Sequence, residues 1–214
     1  MELNIIFLII LGVISLVYLI TLFFKEGLLQ FILKGCLVPL ILAVYIFSAN
    51  KVLWQIVLAL VLGWIGDILL LKTSNILRFK LGLVSFLIGH VFYIVALIKY
   101  AQPFNIVVLI ISAAVAVCYG IFIFKVIHTP HEMRIPVMVY EVILLAMAVL
   151  TLQFFLAHRE LYGALVLIGG VCFVASDTML TLLTFRKKNI YVPVMITYIA
   201  AQLLIALGFG MMKF

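Results

Sequence analysis

Apolar residues run through this sequence in long segments, and charged or turn-forming residues separate the segments at short intervals. Each segment is long enough, at a helical rise of about 1.5 Å per residue, to cross the roughly 30 Å hydrocarbon core of a bilayer. The pattern predicts an all-α fold, a polytopic membrane bundle of eight transmembrane helices. The predicted spans are residues 4–24, 31–49, 52–71, 81–98, 105–124, 135–156, 161–184 and 191–212.

The connections between these spans are short, so consecutive helices are expected to be antiparallel neighbours. No low-complexity segment or linker interrupts the pattern, and residues 1–214 are therefore expected to form a single integral membrane domain. The first segment is expected to be a membrane span and not a cleaved signal peptide, because it is longer than an h-region and no Lys or Arg precedes it.

Composition narrows the classes of function. Hydrophobic residues make up 69% of the 214 residues and charged residues 10%, with a mean hydropathy of +1.46. Soluble domains carry about 25% charged residues, and one of this size has no means of hiding so much apolar surface. A soluble enzyme is therefore excluded. The net charge of +7 does not indicate nucleic-acid binding, because the basic residues are scattered between apolar segments and form no stripe.

The distribution of basic residues predicts the orientation. Ten of the fourteen Lys and Arg residues lie on the side reached after spans 1, 3, 5 and 7, and only Lys51, Lys99, Arg159 and Lys213 lie on the other. By the positive-inside rule the first side is cytoplasmic, so both termini are expected on the non-cytoplasmic side. The compact loops are typical of a bacterial inner-membrane protein. The ten are Lys25, Lys34, Lys72, Arg78, Lys80, Lys125, Arg134, Arg186, Lys187 and Lys188.

Three of the seven acidic residues, Asp67, Glu141 and Asp177, lie within predicted spans. A charged group at the centre of a span costs roughly 2.5–3.5 kcal/mol. No Lys or Arg is expected at matching depth, because Lys34, one turn inside the second span, can extend outward to the interface. The three carboxyl groups are therefore expected to be protonated, to share protons or to face a wet cavity. A protonated carboxylic acid beside an ionised one is suited to acid/base chemistry near neutral pH.

Other polar residues fall at a similar depth. His90 and Tyr198 lie about 15 Å inside the nearest predicted cytoplasmic Lys, and Gln202 lies one turn beyond Tyr198. Helical spacing puts Tyr93 on the same face as His90. Together with the acids these residues predict a polar cavity, built from five spans, that opens toward the cytoplasmic leaflet.

Simpler interpretations stay open for each residue. An intramembrane Asp can be a hydrogen-bonding group between helices without any chemistry, and for Glu141 this is as good a reading as a functional one. His90 can be a satisfied core histidine. The other polar residues at this depth can orient neighbouring groups or serve in packing; they are Tyr93, Tyr140, Tyr198 and Gln202.

A metal site is not predicted. The segment from His128 to Glu132 has a metal-like composition, but Pro130 is expected to break any helix there, which favours a solvated loop. His90 is the one His within a span, which argues against a three-His zinc site.

A possible internal repeat relates spans 1–4 to spans 5–8. Asp67 in span 3 is followed by a basic loop and then by Phe86 and His90 in span 4; Asp177 in span 7 is followed by a basic loop and then by Tyr198 and Gln202 in span 8. Because the offset is four spans, the halves would form two parallel four-helix repeats, related by an axis along the membrane normal.

Four short motifs resemble those of the YhhN-like lysoplasmalogenase family of integral membrane proteins, and their order, spacing and span count agree over essentially the whole chain. They are Gly66-Asp67-x-Leu69-Leu70, Gly89-His90-x-x-Tyr93, Ser176-Asp177 and Tyr198-x-x-Ala201-Gln202.

The resemblance implies hydrolysis of the vinyl ether bond of lysoplasmalogen, a lysophospholipid substrate drawn from the membrane lipids, to a fatty aldehyde and glycerophosphoethanolamine or glycerophosphocholine. No metal or cofactor is implied. Acid/base catalysis would fall to Asp67 and Asp177, with their individual roles open. Substrate binding and orientation would fall to His90, Tyr93, Tyr198 and Gln202. We assign Glu141 to the same group from its position within a span, although it belongs to none of the four motifs and its role stays open. The alternatives are a small lipid or proton-coupled transporter and a non-catalytic lipid-binding protein.

Overall fold

Eight α-helices make up the computed structural model, which describes residues 2–24, 27–71, 76–126, 130–186 and 190–213. No strand occurs in these ranges, which confirms the predicted all-α bundle of eight helices. Lys25, Lys72, His128, Lys187 and Lys188 lie outside the described residues, as does the side chain of Arg186. The helices are α1 (Glu2–Thr21), α2 (Leu28–Ser48), α3 (Trp54–Leu70), α4 (Ile76–Tyr100), α5 (Ile106–Val126), α6 (His131–Ala157), α7 (Leu161–Arg186) and α8 (Tyr191–Met211).

Seven of the described helices are long and apolar enough to cross a membrane. The eighth, α3, has 17 residues and a length of about 26 Å, at the short end of the range for a transmembrane helix. The chain is therefore a multi-pass membrane protein.

Six helices form a closed ring in the order α2, α3, α4, α6, α7, α8, with α8 returning to α2. The helix α1 packs on the outside of α2 and α8, and α5 packs on the outside of α6. When four is added to the number of each helix in the first half, most of the neighbouring pairs become neighbouring pairs of the second half. For example, α1 packs against α2 and α5 packs against α6. This arrangement fits the proposed internal repeat, which stays a prediction.

Glycines let the helices around α3 approach closely. A Cβ on Gly63 would lie 2.8 Å from the Gln202 amide nitrogen of α8, and one on Gly89 of α4 would lie 3.2 Å from the carbonyl oxygen of Ala59. Larger residues would push these helices apart. The close packing brings polar side chains of α3, α4 and α8 within hydrogen-bonding reach of one another.

One end of the bundle is held together by hydrogen bonds between its loops and helix ends, and we call it the closed end. The backbone N–H of Asn50 donates to Gly210 O at 3.0 Å, and the Asn50 amide donates to Met212 O at 3.2 Å. Across the ring, His158 Nε2 donates to Tyr100 O at 2.7 Å. These contacts join the ends of α2, α4, α6 and α8 that lie on the non-cytoplasmic side in the predicted orientation.

The start of α6 corrects the expectation of a loop through His131 and Glu132. Pro130 is the N-cap residue with φ −54°, and His131 and Glu132 form the first turn of the helix. A proline fits a helix start because its fixed φ is close to helical and its missing N–H has no partner there in any case. Pro130 therefore begins a helix where the sequence pattern predicted a break.

Candidate active site

A chain of hydrogen bonds leads from Asp67 of α3 through α8 to α4. Tyr198 OH donates to Asp67 Oδ2 at 2.7 Å, and Gln202 Nε2 donates to Tyr198 OH at 3.3 Å. Tyr93 OH donates in turn to Gln202 Oε1 at 2.7 Å. Each of the four side chains is buried. The structure therefore brings together four of the seven residues that the sequence predicted for the site.

Lys34 supplies a cation to this chain and corrects the expectation that it extends outward. Its Nζ lies 3.7 Å from Asp67 Oδ1, and it donates to Tyr191 OH at 3.5 Å. The whole residue is only 7% exposed. The reason is that α2 lies in the ring between α3 and α8. One face of α2, which carries the buried residues Leu37 and Ile41, therefore points inward, and Lys34 lies on that face.

Asp177 of α7 has a different partner. Tyr140 OH of α6 donates to Asp177 Oδ2, and both side chains are buried. No described residue forms an ion pair with Asp177. One carboxyl group of the site is thus paired with a cation and the other is hydrogen-bonded to a phenol.

His90 offers a free ring nitrogen to the site. Its Nδ1 lies 2.7 Å from the carbonyl oxygen of Phe86. Because a carbonyl only accepts, Nδ1 carries the proton in the neutral ring and Nε2 carries the lone pair. Nε2 is buried and has no hydrogen-bond partner among the described residues. His90 therefore has an unused hydrogen-bond acceptor in the interior of the bundle.

An aromatic cluster connects the surroundings of the two carboxyl groups. The His90 ring packs edge-to-face against Tyr140, the partner of Asp177, with 5.5 Å between centroids. Phe173 packs against His90 at 4.9 Å and against Tyr198, the partner of Asp67, at 6.1 Å. These rings form a continuous apolar contact between the hydrogen-bond partners of the two acids. Phe173 was not singled out in the sequence, since a Phe in an apolar segment carries no signal of its own.

Glu141 lies apart from these hydrogen bonds. It is 8% exposed, and its Oε1 has no hydrogen-bond partner among the described residues. The residue lines a groove of about 720 Å³ between α5 and α6. This differs from the polar cavity that the sequence predicts. The polar side chains of α3, α4 and α8 contact one another directly, and the groove between α5 and α6 is mostly apolar.

Comparisons with known proteins found a family model and two curated relatives that are similar to this chain. A family model described as the YhhN family matches residues 29–209, a range that contains every residue of the site. Two curated relatives named lysoplasmalogenase, from Mycobacterium bovis and Mycobacterium tuberculosis, are each 36% identical over 157 residues. The alignment covers 71% of this chain and 58% of each relative, so the chain spans less than two thirds of the relatives it matches. No solved structure matches the chain significantly.

Proposed function

The chain belongs to the YhhN family, and we propose that it hydrolyses the vinyl ether bond of lysoplasmalogens, in keeping with the name of its mycobacterial relatives. The products are a fatty aldehyde and glycerophosphoethanolamine or glycerophosphocholine. The observation that carries the proposal is the pair of buried carboxyl groups on either side of an aromatic cluster. Asp67 lies beside a cation, and Asp177 has none among the residues that the structure describes.

Vinyl ether hydrolysis has the requirements that such a pair meets. A carboxylic acid gives its proton to the β-carbon of the double bond, so that an O–H bond breaks, a C–H bond forms and an oxocarbenium ion results. Water then adds to the α-carbon and loses a proton, and the hemiacetal collapses to aldehyde and alcohol. Two carboxyl groups in unlike states serve an oxocarbenium-like transition state in glycoside hydrolysis for the same reasons.

Asp67 is the ionised member of the pair in this proposal. The Lys34 ammonium and the Tyr198 hydroxyl both favour its negative form, since one is a cation and the other a hydrogen-bond donor. A buried carboxylate near the reacting double bond stabilises the positive charge that develops in the transition state. Tyr93 and Gln202 hold Tyr198 in place through their hydrogen bonds.

Asp177 is the proton donor. An ionised carboxyl group buried without a cation is costly, so Asp177 retains its proton until substrate arrives. Tyr140 orients it by donating to Oδ2, which leaves Oδ1 to carry the proton toward substrate.

His90 is the residue that orients water. The lone pair on Nε2 accepts a hydrogen bond from the attacking water and turns the water oxygen toward the oxocarbenium ion. Since the Asp177 carboxylate is left without its proton after the first step, it recovers one as water adds, and the site returns to its starting state.

Purified protein in detergent micelles is expected to release aldehyde from a lysoplasmalogen. It is not expected to act on the matched alkyl-ether lysophospholipid, because that lipid has no double bond to protonate. Aldehyde is measured with a coupled aldehyde dehydrogenase, and the Asp67→Asn/Asp177→Asn double variant is the blank.

Release of fatty acid from an ester lysophospholipid, without aldehyde from the vinyl ether, would contradict the proposal. The absence of any hydrolysis, together with lipid or proton movement in proteoliposomes, would favour a transporter. Binding without turnover or transport would favour a lipid-binding protein.

We also propose that both termini lie on the non-cytoplasmic side, in a bacterial inner membrane, because of the excess of basic residues after α1, α3, α5 and α7. Single cysteines introduced at Asn50 and Arg78, in a variant with its three cysteines replaced, are expected to react differently with a membrane-impermeant maleimide in intact cells. Labelling at Asn50 and protection at Arg78 is the expected result, and the reverse pattern would invert the topology.

A further inference from the structure

The proposed chemistry gives no role to the groove between α5 and α6. It has a volume of about 720 Å³ and is lined almost wholly by aliphatic side chains. Small residues of both helices form part of its wall, among them Ala113, Ala116 and Ala146. The groove exists because α5 lies outside the ring and packs against α6.

The polar residues of the groove are gathered toward one end. Lys125 lines it in the last turn of α5, and Glu141 and Thr181 line it from α6 and α7. A Cβ on Gly120 would lie 3.2 Å from Leu145 Cδ1, so these two residues are neighbours across the α5–α6 contact. Since Glu141 is one turn nearer the start of α6 than Leu145, and the helices are antiparallel, Glu141 faces the stretch of α5 between Gly120 and Lys125.

The rest of the groove is apolar and has the length of one leaflet. It extends along α5 from Gly120 back to Leu109, eleven residues or about 17 Å. Half of a roughly 30 Å hydrocarbon core is about 15 Å. The groove thus has a basic end at Lys125, then a polar step formed by Glu141 and Thr181, and then an apolar run. A lysophospholipid carries its phosphate, glycerol and hydrocarbon chain in the same order.

The polar step adjoins the proposed reaction centre. Thr181 lies one turn after Asp177 on α7, and its hydroxyl donates to the Asp177 carbonyl at 2.7 Å. Glu141 follows Tyr140, the partner of the Asp177 side chain. Glu141 is more than nine-tenths buried, and its unpartnered Oε1 belongs to a residue that lines the groove. A ligand hydroxyl here would satisfy that oxygen.

We propose that this groove binds the hydrocarbon chain of the lysophospholipid substrate, with the phosphate at Lys125 and the free glycerol hydroxyl at Glu141. The inference rests on the proposed function, since it identifies how the substrate of that site is held. The charge of Lys125 complements the phosphate, and the length of the apolar run sets the length of chain that fits. Bilayer lipid is the alternative occupant that the experiment must separate from substrate.

The first test shortens the groove and compares two substrates. In Ala113→Trp the indole fills the apolar run between Gly120 and Leu109. The ratio of kcat/KM for a long-chain lysoplasmalogen to that for one of half the chain length is expected to fall about tenfold, because a shaped apolar pocket discriminates by that factor over a small change in chain length. Val115→Trp is the control, since Val115 is 64% exposed on the same helix and does not line the groove.

The second test does not depend on turnover. Lysophosphatidylethanolamine with a diazirine at the end of its chain is photolysed with the protein in nanodiscs, and the labelled residues are mapped. Labelling is expected to concentrate at 109–117 and 145–150, to fall in Ala113→Trp, and to be competed by lysoplasmalogen but not by bilayer phospholipid. Labelling spread over lipid-facing helices such as α1, or equal competition by bilayer phospholipid, would overturn the proposal.

The two tests separate the two proposals. Labelling in the groove without aldehyde release from any substrate would contradict the hydrolysis and leave the chain-binding groove in place. Aldehyde release with an unchanged chain-length ratio in Ala113→Trp, and labelling elsewhere, would contradict the groove and leave the hydrolysis in place.

Discussion

Replacement of Asp177 by Asn is expected to lower kcat for aldehyde release by about 10²–10⁴-fold, the usual contribution of a general acid. The amide has the shape of the carboxyl group and keeps a carbonyl oxygen that accepts the Tyr140 hydrogen bond, but it has no acidic proton to give to the β-carbon. KM is expected to change little, because the reacting proton contributes to the transition state and not to ground-state binding. Initial rates over a range of lysoplasmalogen concentrations, from below KM to saturation, give the two constants separately.

The matched control is Tyr140→Phe, which leaves the carboxyl group and removes the hydroxyl that orients it. Its loss of kcat is expected to be smaller than that of Asp177→Asn. A solvent deuterium isotope effect on kcat is expected in the wild type, since proton transfer to carbon is the first step. Asp177→Asn protein with wild-type kcat, or a Tyr140→Phe defect equal to that of Asp177→Asn, would remove Asp177 from the role of proton donor.

Replacement of Lys34 by Met is expected to lower the free energy of unfolding by about 3–5 kcal/mol, the cost of leaving one member of a buried ion pair alone. Met keeps much of the aliphatic length of Lys, so the packing of α2 against α3 and α8 changes little. What changes is Asp67, which loses its cation at 3.7 Å and keeps one hydrogen bond from Tyr198. Unfolding in mixed micelles with increasing dodecyl sulfate measures the difference.

A second variant separates the ion pair from packing. In Lys34→Met/Asp67→Asn no charge is left unpaired, so most of the lost stability is expected to return while activity stays low. Lys99→Met removes an exposed Lys near a helix end and is expected to change stability by about 0.5 kcal/mol or less. If Lys34→Met is as stable as the wild type, or the double variant is no more stable than the single one, the pair is not what neutralises Asp67.

The helices could be predicted from the sequence because long apolar segments have one stable solution in a bilayer. The convergence of Asp67, Tyr93, Tyr198 and Gln202 was also predictable, since helical spacing puts each on an inward face at a similar depth. The same reasoning failed for Lys34. Its depth matches that of Asp67, but whether a Lys near a span end points to the interface or to the interior depends on which helices flank α2, and that is a property of the ring.

The position of α5 was beyond the reach of the sequence for a different reason. Lipid tails are as apolar as Leu, so a helix facing lipid and one facing other helices show no contrast in hydrophobicity. Only Ile123 of the described residues of α5 is buried, although the helix is as apolar as those of the ring. The groove beside it, and the exposure of Glu141 to that groove, therefore appear only in three dimensions.

The closed end of the bundle gives the proposed reaction a sidedness. Because Asn50 is bound to the end of α8 and His158 to the end of α4, we expect exchange with water from the opposite end of the bundle. In the proposed reaction, the proton that Asp177 gives to carbon would then be replaced from the same compartment into which the glycerophospho head group departs, while the aldehyde would stay in the bilayer. No charge crosses the membrane in a turnover, so the membrane potential neither drives nor opposes it.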